Sequence, residues 1–159
     1  MLFGQVIDAE FTANDVGAIV AEEWLRSADI REEIALDSFV VMPNHFHAVV
    51  WITDRRGDRP VAPTVGSRVT LAPRSLGSLM AGFKSAVTKR VNELHQTPGA
   101  PLWQRNYYER VIRDDDELNR IREYIQLNPL KWSLDRDNPD RTVDDAWDHE
   151  WKWLEGDPP

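Results

Sequence analysis

The sequence predicts an α+β fold in which an antiparallel sheet carries helices packed on one face. Three observations lead there. Apolar residues recur at helical spacing in three separated stretches, and two runs rich in Val, Ile and Phe meet at Met42-Pro43-Asn44. The resulting order, α-β-β-α-β-α, is that of an α+β domain. A chain of 159 residues is long enough to bury one substantial core and short for two.

The elements follow in order. Thr12 stands three residues before Asp15 as a loose capping box. Val16, Ile19, Val20, Trp24 and Leu25 then recur at helical spacing and predict a helix over 13–29. Strands are expected at 34–42 and 45–52, joined by a tight turn at Pro43-Asn44. Residues 54–74 mix Gly, Pro and Arg without period, which predicts a mobile basic loop. From Ser75, an apolar stripe of Leu76, Leu79, Met80, Phe83, Val87, Val91 and Leu94 predicts a second helix, stopped by Thr97-Pro98-Gly99. A strand is expected over Tyr107–Arg113. Asp114, Asp115, Asp116 and Glu117 crowd the start of a third helix, where the dipole favours anions. Leu118, Ile121 and Ile125 mark its buried face, and Asn128-Pro129 ends it, because Pro pushes the preceding residue out of helical geometry. Residues 1–134 are thus read as one domain. Residues 135–159 form an acidic extension in which Trp147, Trp151 and Leu154 have helical spacing.

Composition excludes several classes. Seven Trp speak against disorder, and no cysteine means no disulfide, thiolate metal site or thiol nucleophile. No run reaches the roughly 20 apolar residues of a membrane span, and the first residues do not read as a secretory signal. A soluble, cytoplasmic protein is expected. The net charge of −8 conceals a sharp segregation. Residues 1–53 sum to −7, residues 54–113 to +7, and residues 114–159 to −8. The middle third can therefore offer phosphates a basic surface despite the acidic total, or it can be an ordinary solvated surface.

Two constellations could carry chemistry. His45 and His47 flank Phe46 on an expected strand, so both imidazoles leave one face, with Cα atoms about 6.6 Å apart. Such a pair is either a metal-binding pair or two imidazoles hydrogen-bonded at a sheet surface. Tyr124 and Asn128, spaced i, i+4, share one helix face. Tyr124 is either a packing residue beside Ile121 or a nucleophile awaiting activation, and Asn128 is either a helix stop or a hard oxygen donor suited to Mg²⁺ or Mn²⁺.

Together, VVMPNHFHAVVWI and LWQRNYYERVIRDDDELNRIREYIQLNPLKW give the chain a resemblance over most of residues 2–134. It resembles the single-tyrosine HUH transposases, both the insertion-sequence enzymes and the REP-associated tyrosine transposases. The resemblance implies a ferredoxin-like sheet, His45, His47 and Asn128 as ligands of a divalent metal, and Tyr124 as nucleophile. Tyr107 and Tyr108 are rivals by residue type but lie outside the Tyr-Ile-x-x-Asn-Pro context. His95 and His149 match no motif. The implied activity is cleavage and rejoining of single-stranded DNA near a hairpin, through a 5′-phosphotyrosine link. Lys84, Lys89, Arg90 and Arg105 are the candidates for backbone phosphate contacts. A catalytically inactive hairpin-binding protein and a metal-dependent nuclease using water are the alternatives. Family members usually open with a strand that precedes the stretch matching Leu2-Phe3-Gly4. The sheet beside the histidine strand is therefore expected to be covered by a second copy, making a homodimer, by the Leu2–Ile7 segment, or by the Trp-bearing tail.

Overall fold

A computed structural model describes residues 1–53, 72–135 and 137–141. The fold is α+β, with two antiparallel two-stranded sheets and three helices, compatible with a ferredoxin-like arrangement. Strands β1 (Gly4–Ile7) and β2 (Glu10–Ala13) form a hairpin, followed by helix α1 (Asp15–Ile30). Strands β3 (Ile34–Val41) and β4 (Phe46–Ile52) form the second hairpin, followed by α2 (Leu76–His95) and α3 (Asp115–Leu127). A single 3₁₀ turn, Trp132–Leu134, comes after α3. No helix among the described residues is long and apolar enough to cross a membrane. The expected basic loop at 54–74 lies mostly outside the described residues, as does the helical spacing of Trp147, Trp151 and Leu154.

The chain divides into two compact units. One comprises Met1–Ala18, Ser38–Val49 and the described residues from Gln104 onward. In this unit the N-terminal hairpin turns through Asp8 and Ala9, both at positive φ, and pairs Ile7 with Glu10 and Gly4 with Ala13. Two consecutive positive-φ residues are the geometry of a type I′ turn. The hairpin runs into a closely packed N-terminus. Phe3 is buried; its N–H donates to Pro43 O at 2.9 Å and its carbonyl accepts from Asn14 N at 3.0 Å. A Cβ at Gly17 would collide with that same carbonyl, so the first turn of α1 needs glycine there. Asn14, rather than Thr12, caps α1, accepting the Gly17 N–H at 2.9 Å. Thr12 is occupied in β2.

The third helix packs through the face that the spacing predicts. Leu118 and Ile125 are buried with Val49, and Val40, Ile112, Ile121 and Tyr124 pack around them. The strand expected over Tyr107–Arg113 is absent; those residues are irregular. The physical reason is that the segment is tied to the helix start instead of to a neighbouring strand. Arg110 Nε donates to Glu117 Oε1 at 2.6 Å, and the Arg113 N–H donates to Glu117 Oε2 at 2.8 Å. The Glu117 N–H in turn donates to the Asp114 side chain at 2.7 Å, which caps the helix. At the other end, Asn128 keeps right-handed helical angles (φ −54°, ψ −48°) although Pro129 follows. Regular helix still stops at Leu127, but the backbone continues its winding, and the Lys131 N–H returns to Leu127 O at 3.0 Å. The preference against helical geometry before proline is opposed here by hydrogen bonds on both sides of Asn128: its Nδ2 donates to Tyr124 O at 3.2 Å, and its carbonyl accepts the Lys131 N–H at 3.2 Å.

The second unit comprises Ile19–Asp37 and Val50–Trp103. Its core joins α1 to α2, with Trp24 edge-on to Phe83 at 5.3 Å between centroids. Leu79, Phe83, Val87 and Val91 of the expected stripe are buried; Leu94, like Leu25 of α1, is exposed. Both outliers sit where the stripe drifts off the contact face toward solvent. Helix α2 begins with a full capping box between Ser75 and Ser78 and ends on Gln96 in the left-handed region.

The Glu117 carboxyl lies below the usual glutamate range, first because the Arg113 N–H bonds to its charged form and then because Arg110 does, with burial and Asp114 opposing. A depressed carboxyl stabilises the fold above its unfolded value and loses that contribution as pH falls through the folded one. Glu117→Gln is therefore expected to lower stability by about 1 kcal/mol at neutral pH. Urea denaturation should show the gap between variant and wild type closing below about pH 4. A gap that is constant with pH would mean the charge of Glu117 is not what holds the helix start.

Candidate active site

The turn at Met42-Pro43-Asn44 does for the histidines what strand alternation predicts. Met42 N–H donates to His45 O at 2.9 Å, closing the hairpin just before β4. His45 and His47 then leave the same face, their ring centroids 4.7 Å apart, while Phe46 packs toward Phe39 at 6.0 Å. Helix α3 brings Tyr124 to the pair. Its ring is edge-on to His47 at 5.3 Å, and its hydroxyl is 3.5 Å from His47 Nε2. One turn on, Asn128 is 1% exposed; its Nδ2 donates back to Tyr124 O at 3.2 Å, but its Oδ1 has no hydrogen-bond partner. His45 Nε2 is likewise buried and without one. Four residues chosen from two distant sequence blocks thus meet in one unit.

Three further polar side chains join them that sequence reasoning left out. Asn44 Oδ1 is 2.9 Å from His45 Nδ1. Asp137 Oδ2 is 3.7 Å from the same nitrogen, and Asp135 Oδ2 is 4.0 Å from Nε2. The 3₁₀ turn at Trp132–Leu134 carries the chain back, with Trp132 6.0 Å from the His45 ring, and Asn44 Nδ2 anchors it by donating to Asp137 O at 2.6 Å. The signal for these residues was present as Asp135-x-Asp137 directly after the tyrosine helix, but a boundary drawn at residue 134 separated it from the histidines.

Burial governs the electrostatics. It holds the His47 ring down to about 3, with the neighbouring His45 charge adding to the effect. His45 is lowered as well, again by burial first, while Asp135, Asp137 and the Asn128 amide pull upward. Both imidazoles are therefore neutral at neutral pH, the state in which a ring nitrogen offers its lone pair to a cation. The sign for stability follows from the unfolded chain binding the proton that the folded His47 refuses. Stability is complete above the unfolded value of 6.5 and falls as pH drops below it. His47 alone is expected to cost about 2 kcal/mol by pH 5. Urea titrations at stepped pH should show that decline reduced in His47→Gln; an identical decline in both proteins would place the proton elsewhere.

The basic candidates are distributed differently. In the second unit, Lys84 and Lys89 line a groove of about 450 Å³ with Ser85, Thr88, Pro101, Leu102 and Trp103. Lys84 Nζ lies 5.8 Å from the Trp103 ring centre, and the Trp103 indole N–H donates to Lys84 O at 3.1 Å. Arg90 is bound by Glu22 at 2.6 Å and Glu23 at 2.9 Å, which compensates its charge within the unit. Arg105 is exposed in the first unit. Tyr107 and Tyr108 are exposed, and the aromatic ring edge-on to His47 is Tyr124. His95 is exposed at the end of α2, and His149 lies outside the described residues.

The chain is 34% identical over 140 residues to an uncharacterized protein of Haemophilus influenzae, an alignment covering 85% of this chain and 76% of that protein. No family model and no solved structure matches it.

Proposed function

We propose that this chain, which belongs to the family of that Haemophilus influenzae protein, is a cytoplasmic HUH-type transposase that cleaves and rejoins single-stranded DNA beside a hairpin. The observation that carries the reading is the convergence of the Tyr124 hydroxyl with the imidazoles of His45 and His47 and the buried amide of Asn128. A packing tyrosine does not need two histidines, and a structural histidine pair does not need a nucleophile one hydrogen-bond length away.

The donor set fits a divalent cation. Two buried acceptors, His45 Nε2 and Asn128 Oδ1, make no hydrogen bond among the described residues, and burying a polar atom unpaired costs about 1–3 kcal/mol. His45, His47 and Asn128 would hold Mg²⁺ or Mn²⁺, and the ion when bound would polarise the scissile phosphate. The chain itself supplies the nucleophile and its orientation. The Tyr124 ring is fixed edge-on to His47 and packed with Val49, Leu118 and Ile125, so its oxygen has one place to be. That oxygen attacks phosphorus, the new Tyr–O–P bond replaces the broken P–O3′ bond, and the phenolic proton is lost as the 3′-OH gains one. The phosphotyrosine ester keeps the bond energy, so a second 3′-OH can reverse the step without ATP. Lys84 and Lys89, which line one groove with Trp103, are suited to backbone phosphates and a stacked base.

Labelled single-stranded hairpin DNA incubated with the protein and Mn²⁺ tests this on a denaturing gel. The wild type is expected to give a covalent protein–DNA band and a shortened product, both abolished by Tyr124→Phe, while hairpin binding changes less than about threefold because affinity resides in backbone contacts. Cleavage without the covalent band would assign water as nucleophile. Binding without cleavage would leave a DNA-hairpin-binding protein.

A further inference from the structure

The two nitrogens of His45 face different surroundings, and the difference fixes which one can act. Asn44 donates through Nδ2 to Asp137 O, which leaves its Oδ1 as the acceptor toward His45 Nδ1. In a neutral ring, Nδ1 must then carry the proton, an assignment made from the hydrogen-bond network. Asp137 Oδ2 stands 3.7 Å from the same nitrogen. Nε2 is therefore the lone-pair nitrogen, and it is the buried atom with no hydrogen-bond partner. Facing it at 4.0 Å is Asp135 Oδ2. The Asp135 carboxylate is held in place, since its other oxygen accepts the Asp137 N–H at 2.7 Å. Asn128, 1% exposed, lies against His45 with its own Oδ1 unpartnered. The His45 lone pair thus has a carboxylate oxygen 4.0 Å away and lies against a buried, unpartnered amide oxygen, and a cation would relieve the repulsion among such acceptors.

We propose that Asp135 is the carboxylate ligand of the divalent cation site, and that Asp137 with Asn44 positions His45 so that Nε2 points into it. The potential ligand atoms of His45, Asp135 and Asp137 all lie within 4.8 Å of one another. A carboxylate and an amide oxygen beside imidazole make the site a hard one, suited to Mn²⁺ or Mg²⁺ more than to softer ions. The proposal deepens the function above and rests on the same histidine pair, but it concerns ion binding alone.

Binding of Mn²⁺ to the full chain, followed by the loss of the free-ion electron paramagnetic resonance signal, tests it without DNA. Asp135→Asn preserves the oxygen that accepts the Asp137 N–H, so the fold is expected to survive, and an unchanged urea midpoint without metal verifies this. The affinity should fall roughly 10–100-fold in Asp135→Asn and about tenfold in Asp137→Asn. Nitrogen-15 spectra of the metal-free wild type should show the Nδ1–H tautomer for His45, a signature that a merely structural Asp137 would not set. Wild-type affinity in a folded Asp135→Asn overturns the proposal, as does a wild type that binds no Mn²⁺. Mn²⁺ binding that depends on Asp135, with no covalent DNA band, supports the cation site and removes the strand-transfer reading. A Tyr124-dependent band with undiminished Asp135→Asn affinity does the reverse.

Discussion

The structure of the first unit is organised around lone pairs that are buried without donors. His45 Nε2 and Asn128 Oδ1 come from residues just before a strand and just after a helix, more than 80 residues apart in sequence, and neither atom has a hydrogen bond. Native interiors satisfy nearly all buried polar atoms, since each orphan costs a sizeable fraction of a marginal stability. Two orphans lying together are therefore a cost that the rest of the unit must offset. It does so by over-determining every backbone segment that reaches the site. Phe3 holds Pro43 from one side and the start of α1 from the other, which fixes the turn ahead of His45. Asp114 and Glu117 lock the first turn of α3, which fixes the axis along which Tyr124 and Asn128 are presented.

The sequence made much of this legible because its key regularities are local. Strand alternation put both imidazoles on one side, and the i, i+4 rule put Tyr124 above Asn128; neither depends on the tertiary fold. The α3 start was readable from four successive acidic residues at a dipole end. What escaped was set by non-local or unusual chemistry. The first hairpin turns on Asp8-Ala9, with alanine in a left-handed conformation where an Asn-Gly or Asp-Gly pair would have announced a turn. The segment over Tyr107–Arg113 alternates like a strand, yet Arg110 and the Arg113 amide find their partner in Glu117. No pattern of period two reveals that.

Asp135 and Asp137 were missed for a different reason. An acidic stretch after a helix stop reads as a solvated tail, and the composition of residues 135–159 reinforced that. The 3₁₀ turn at Trp132–Leu134 reverses the chain instead, and Asn44 and Asn138 tie the reversed segment down. Burial distinguishes the two aspartates: Asp135 is buried, whereas the Asp137 side chain remains 61% exposed. Facing opposite nitrogens of one ring, they are suited to unequal work, the buried one to holding an ion and the exposed one to orienting the ring.

Charge then constrains how a nucleic acid could use such a site. Two carboxylates beside His45 make the neighbourhood of Tyr124 negative, because both histidines are neutral there. A phosphodiester approaching the tyrosine hydroxyl would meet repulsion in a poorly screened, partly buried setting, where like charges about 4 Å apart repel by several kcal/mol. Arg110, in the same unit, has its charge compensated by Glu117. An acidic centre serving a polyanion is physically consistent only when a cation of higher charge stands between them. Under the proposed function, the carboxylates beside His45 would make strand transfer depend on a divalent ion, and a monovalent one would leave the repulsion largely in place.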